Sequence, residues 1–202
     1  MDCFDWHTHN LKAHDAIINV DPGFCAFEPG RLYSTGIHPW YTAEATEETW
    51  RALEATAANP RVVAIGECGL DRKRGGDMAA QLAAFKRQIA LSEELGKPLT
   101  IHCVGCAGEM LSLRRKFAPT QPWIWHGFRK GPQLARQLTD AGIYLSLGQR
   151  FNPDVIREIP QSKLLMETDD SPESIAAVAA AFPPGLPEIM SANARLLLKP
   201  RQ

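Results

Sequence analysis

The sequence has no run near the ~20 apolar residues that a membrane helix needs. Its start, MDCFDWHTHN, lacks the basic segment and apolar stretch of a secretory signal. A cytoplasmic protein with no membrane partner is therefore expected. Strong basicity is missing as well: 22 Lys and Arg residues face 23 Asp and Glu, for a formal net charge of −1. That excludes the globally basic signature of many nucleic-acid binders but leaves room for a local basic patch. Cysteine is sparse and odd in number, at Cys3, Cys25, Cys68, Cys103 and Cys106. A chain of 202 residues buries enough surface to fold without disulfide staples, so reduced thiols are expected. Cys103-Val104-Gly105-Cys106 has CxxC spacing but no second pair beside it, and reads as structural thiols. Internal repeats, low-complexity tracts and linkers are also missing. Residues 1–202 are expected to form one domain, and nothing points to an obligate protein partner.

What is present is an alternation of short apolar runs with helical patterns. The runs are Cys3–Asp5 leading into His7, Ala16–Val20, Arg31–Gly36, Val62–Gly66, Leu99–His102, Trp123–His126, Ile143–Leu147 and Lys163–Glu167. Several are rich in Val, Ile and Leu with little alternation, as for strands buried on both faces. Thr46 can cap a helix reaching toward Ala58, and Asp77 one ending at Gly96. Pro132 starts another that Gly142 closes, Ser171-Pro172-Glu173 opens the next, and Leu186–Leu198 reads as a terminal helix. Eight strands with helices between them predict an α/β fold, a TIM-like (β/α)8 barrel. Residues 10–15 and 21–30 are too short and irregular for crossover helices, so the barrel is expected to be distorted or trimmed in its first third.

Only six histidines are present, and five lie at or just past predicted strand ends: His7, His9, His38, His102 and His126. In a barrel those ends open onto one face, where catalysis occurs. His7 and His9 are two apart, so on a strand they point to one side and converge like metal ligands. Glu67 directly follows a buried run, a costly place for a carboxylate unless a cation meets it. Glu167, Asp169 and Asp170 crowd another strand end. Each residue alone has an ordinary structural reading; together they form one cluster. Four imidazoles and two carboxylates (His7, His9, Glu67, His102, His126, Asp169) suit two divalent ions, with Glu67 as the bridge and Asp169 accepting a proton from the activated water. Zn, Mg, Mn and Ni all fit such a mixed nitrogen and oxygen set. Asp5 and Glu167 are expected to support these ligands from behind. Arg72, Lys73, Arg74, Arg129, Lys130 and Arg150 follow strands on the same face and suggest a basic rim. Arg114-Arg115-Lys116 reads instead as a favourable helix C-terminus.

The motifs Asp5-Trp6-His7-Thr8-His9, Gly36-Ile37-His38-Pro39, Gly66-Glu67-Cys68-Gly69-Leu70-Asp71, Ile101-His102, His126-Gly127-Phe128 and Glu167-Thr168-Asp169 occur in an order that resembles the TatD family of metal-dependent deoxyribonucleases, among the amidohydrolase-like barrels. The resemblance implies His7, His9, Glu67 and Asp169 at one metal ion, and Glu67, His102 and His126 at the other. It implies hydrolysis of DNA phosphodiesters, often from the 3′ end, with DNA as partner. His38, Arg72 and Arg129 are then expected to touch substrate. Where the family commonly has an arginine two residues past the Ile-His motif, this chain has Val104. The alternatives are the same site acting on a small phosphoester, ester or amide, and a metal-binding interaction protein without turnover.

Overall fold

A computed structural model describes residues 3–199. Eight strands run in order around one sheet, every neighbouring pair parallel. They are β1 (Asp5–Thr8), β2 (Ala16–Val20), β3 (Leu32–Thr35), β4 (Val62–Asp71), β5 (Leu99–Val104), β6 (Trp123–Trp125), β7 (Ile143–Leu147) and β8 (Leu164–Met166). The helices are α1 (Glu47–Ala57), α2 (Met78–Leu95), α3 (Ala107–Phe117), α4 (Pro132–Asp140), α5 (Asp154–Glu158), α6 (Ile175–Ala179) and α7 (Leu186–Leu197). The sequence places most of these well. Thr46 and Asp77 cap α1 and α2 through their side chains, and Gly96 ends α2 in the left-handed conformation. Two expectations need correction. Ser171-Pro172-Glu173 does not open a helix: the Ser171 hydroxyl accepts the Glu173 amide in a local turn, and Ser174 caps α6 instead. The fourth strand does not stop at Gly66 but continues to Asp71.

The first third is trimmed, as expected. No helix joins β1 to β2 or β2 to β3. Phe24 and Phe27 of the second connection pack on Tyr33, at 5.6 and 5.1 Å between ring centroids. They cover the side of Ile18, Val20 and Val62 that a crossover helix would bury elsewhere in the barrel. The barrel interior is a second cluster, in which Phe4, Trp6, Ile17, Ile124 and Leu165 meet Ala194 and Leu197 of α7. The Trp6 indole N–H donates across it to Thr100 Oγ1 at 3.1 Å, satisfying a donor that burial would otherwise strand. The remaining core lies between strands and helices.

Two buried glutamines of α2 fix the site loops. Gln88 accepts the Ile37 amide (2.7 Å) and donates to the Ile37 carbonyl (3.0 Å). Gln81 does the same for Asp71, at 2.8 and 3.1 Å. Each side-chain amide thus replaces a missing strand neighbour.

The ring closes between β1 and the segment after β8, at the C-terminal mouth. His9 N donates to Asp169 O at 3.0 Å, and Asp169 N donates to His7 O at 2.9 Å. Asp5 supports the seam: its carboxylate accepts the Thr168 amide (3.0 Å), the Thr168 hydroxyl (2.6 Å) and the His7 amide (3.2 Å). Asp5 thus reaches His7 through its backbone amide. Burial raises its pKa from 3.8 to about 7, against the lowering effect of these bonds. A folded-state pKa above the unfolded one favours the protonated form, so stability is lost as pH rises between those values. Asp5→Asn keeps a side chain of the same shape. It is expected to stabilise the metal-free protein by about 4 kcal/mol at pH 8 and by little at pH 4. Thermal melts in EDTA across pH test this; a variant destabilised at pH 8 would contradict it.

Candidate metal centre

A bulge brings Glu67 into the site. Ile65 pairs with Leu99 and Cys68 with Ile101, so β4 carries one residue more than β5 over that stretch. Two glycines permit this. Gly66 and Gly69 have φ of 137° and 141°, and a Cβ on either would overlap the carbonyl oxygen of Thr100 or His102. Beyond the bulge, Cys68 and Leu70 enter the outer core while Glu67 and Asp71 turn to the mouth. β1 has a similar irregularity between Asp5 and Thr8.

Glu67 is nearly buried and divides its two oxygens between two groups of imidazoles. Oε2 lies 3.5 Å from both His7 Nε2 and His9 Nε2, which are each 3.7 Å from Asp169 Oδ1. Oε1 lies 2.8 Å from His102 Nδ1, 2.8 Å from His126 Nε2 and 3.1 Å from His38 Nε2. The six residues expected as ligands are thus together, and His38 joins them on the shared carboxylate.

The two halves differ in a way that bears on what they hold. Separations of 3.5–3.7 Å are long for hydrogen bonds. They suit two ligand atoms about 2.1 Å from one ion at a tetrahedral angle, which lie roughly 3.4 Å apart. His7 is fully buried, and both its ring nitrogens lack a hydrogen-bond partner. A buried imidazole with nothing to bond is expensive unless a cation meets it. In the other half, His102 Nε2 is 3.1 Å from Asp71 Oδ2. Donation of the Nε2 proton there leaves the Nδ1 lone pair facing the Glu67 oxygen, an arrangement that needs a positive charge between them. His126 likewise sits between carboxylates, with Nδ1 3.4 Å from Glu167 Oε1. The residues present therefore fit divalent ions in both halves.

The electrostatics agree. Burial pushes Glu67 upward, but the His126 charge and the bonds from His102, His126 and His38 outweigh it and hold the carboxyl well below its usual range. Burial lowers His126, yet Glu67 and Glu167 carry it well above the usual histidine value. The Glu67 carboxylate beside it raises His9, against burial, whereas burial lowers His38 despite the same partner.

Several supporting residues escaped the sequence reading. Asp71 accepts the Trp40 indole (2.7 Å) as well as His102, and its second oxygen takes the amides of Lys73 (2.8 Å) and Arg74 (3.1 Å). Burial raises its pKa and these bonds more than offset it. Asn19 Oδ1 accepts the Glu67 amide at 2.9 Å and the Ser34 hydroxyl at 3.1 Å. A lone asparagine in the apolar run Ala16–Val20 was the available signal for the second. Glu167, which the sequence did offer as a supporting residue, accepts the Gly127 amide on Oε1 at 2.5 Å, fixing the chain just beyond His126. Arg72, expected to touch substrate, is exposed at the rim, where its guanidinium bonds the Gly105 carbonyl and pairs with Glu109. Arg74 instead stacks on Trp40, 3.7 Å from the ring centroid. Cys103 and Cys106 are free and buried, and burial pushes both thiols up, away from redox chemistry.

The site opens into a cavity of about 870 Å³ whose walls include His38, Trp40, Tyr41, Leu11 and Phe24. No described helix is long and apolar enough to cross a membrane.

An eight-stranded parallel β/α barrel with histidines and carboxylates gathered at its C-terminal mouth is the class this fold and site define. The family model described as TatD related DNase matches residues 25–193, and the chain belongs to that family. It is 34% identical over 153 residues to the 3′-5′ ssDNA/RNA exonuclease TatD of Erwinia billingiae, covering 70% of this chain and 58% of that protein. It is 33% identical over 145 residues to the uncharacterized metal-dependent hydrolase YabD of Bacillus subtilis, covering 66% and 56%. The chain thus spans less than two thirds of the length of these relatives. The fold matches that of the TatD homologue YjjV of Escherichia coli with a TM-score of 0.82 at 18% identity, over 98% of each chain. A TatD family hydrolase from Entamoeba histolytica matches with a TM-score of 0.66 at 17% identity, over 84% of this chain and 75% of that one.

Proposed function

We propose that the protein is a metal-dependent hydrolase that cleaves phosphodiesters of single-stranded DNA or RNA from the 3′ end. The observation that carries the reading is the division of Glu67 between two imidazole groups, each suited to a cation. His7, His9, Glu67 and Asp169 would hold one divalent ion, and Glu67, His102 and His126 the other. When bound, such ions polarise a phosphoryl oxygen, acidify water and offset developing negative charge. The relatives named as exonucleases support the substrate class.

The remaining work falls to the chain's own groups. Asp169 is the proton acceptor: its side chain is 23% exposed, so solvent reaches it, whereas Glu67 is enclosed. His38 receives the Trp40 amide on Nδ1 at 3.2 Å, which leaves the proton on Nε2 to donate to Glu67 or to a phosphate oxygen. Asp71 holds His102 in the tautomer whose Nδ1 faces Glu67. Trp40, Tyr41 and Phe24 give an unstacked base an apolar surface in the cavity.

The test is to strip divalent ions and restore Mg²⁺, Mn²⁺ or Zn²⁺ separately. Single-stranded DNA and RNA are then assayed beside a small phosphodiester and a carboxylic ester. Shortening of labelled single strands from the 3′ end, dependent on added ion, is expected. Turnover of the small esters alone would overturn the reading.

A further inference from the structure

A second cleft lies beside the metal centre, and its arginines have no role in the chemistry above. It has a volume of about 530 Å³ and meets the first cavity at Asp169 and Asp170, which line both. Its other walls come from the segments after β6, β7 and β8, where Arg129, Gln149, Arg150 and Glu173 lie. We propose that this cleft is a phosphate subsite: it takes a backbone phosphate of the strand whose scissile bond lies at the metal centre, through Arg129 and Arg150. The proposal rests on the nucleic-acid reading of the site.

Three observations support it. First, the two arginines are exposed and uncommitted. Arginine ion pairs among the described residues are those of Arg31, Arg72, Arg87 and Arg136, so Arg129 and Arg150 remain free for a ligand. A guanidinium offers a planar fork of donors that matches a phosphate, and two such groups from neighbouring loops can grip one anion. Secondly, two of its three walls are the segments after the seventh and eighth strands, where β/α barrels frequently form phosphate sites. Thirdly, its position completes a path. Asp169 separates an apolar, aromatic cavity suited to a base from a polar cleft suited to the backbone, so a strand crossing Asp169 meets the right chemistry on each side.

The acids of the cleft divide by role. Glu167 takes the Gly127 amide and Asp169 faces His7 and His9, so both belong to the metal centre. Asp170 and Glu173 carry no such duty, and their charge opposes an incoming anion. Glu173 lines this cleft and not the first cavity, which makes it a control of opposite sign.

The experiment measures equilibrium binding of a fluorescein-labelled, hydrolysis-resistant phosphorothioate oligothymidylate to the Mg²⁺-loaded protein, by anisotropy across a salt series. Arg129→Ala and Arg150→Ala should each weaken binding about tenfold. The double variant should make the slope of log affinity against log salt shallower by about 0.7, the value for one lost phosphate contact on a single strand. Glu173→Gln should tighten binding. Unchanged affinity and slope in the double variant, with the unaltered protein binding normally, would overturn the subsite alone. No binding by the unaltered protein would overturn the nucleic-acid reading and the subsite with it.

Discussion

Replacing Glu67 with glutamine is expected to lower phosphodiester turnover about 10³-fold or more while leaving the barrel folded. Glu67 is the one side chain shared by both halves of the site, with an oxygen toward each. An amide keeps the shape but turns an N–H₂ toward one group of imidazoles and removes the negative charge that balances them. The backbone is spared, because the Glu67 amide bonds to Asn19 whatever the side chain. Steady-state rates beside a thermal melt separate the two effects. Activity within tenfold of the unaltered protein would show that Glu67 is not the shared ligand.

The largest expected loss of stability comes from a residue with no side chain. Gly69→Ala drives a methyl group into the His102 carbonyl at a φ of 141°, which L-residues rarely adopt. Relief requires β4 and β5 to separate, at the point where His102 and Glu67 face each other. A cost of about 3 kcal/mol or more is expected, along with weakened metal binding. Gly76→Ala is the matched comparison: its φ of 75° is also left-handed, but nothing lies within 4 Å of the added carbon. About 1 kcal/mol is expected there, from backbone preference alone. Urea titrations of both variants test the contrast. Equal costs would mean that the close approach of the two strands does not shape the site.

Most of the barrel is legible in the sequence because buried parallel strands leave continuous apolar runs, and strand ends in a barrel share one face. The histidines at 7, 9, 102 and 126 were readable for the same reason: lone imidazoles closing apolar runs must meet somewhere. The end of β4 was not. Gly66 reads as punctuation, and only its close approach to Thr100 shows it to be the point where the strand bulges and goes on. Asp71 and Asn19 were hidden because their partners, His102 and the Glu67 amide, lie on neighbouring strands. The pairing of Arg72 with Glu109 was hidden in the same way, because Glu109 lies on α3. Ser171-Pro172-Glu173 has the composition of a helix start, yet the same serine bond closes a turn just as well. Local pattern carries the elements, and contacts distant in sequence carry the support of the site.

The most direct test of the central claim is a count of ions. Metal-stripped protein would be titrated with Zn²⁺ or Mn²⁺ by calorimetry, together with a His7→Ala/His9→Ala variant and a His102→Ala/His126→Ala variant. Two ions per chain are expected for the unaltered protein and one for each variant, because each pair of histidines serves a different oxygen of Glu67. Two ions retained in either variant, or none bound by the unaltered protein, would contradict the two-part centre.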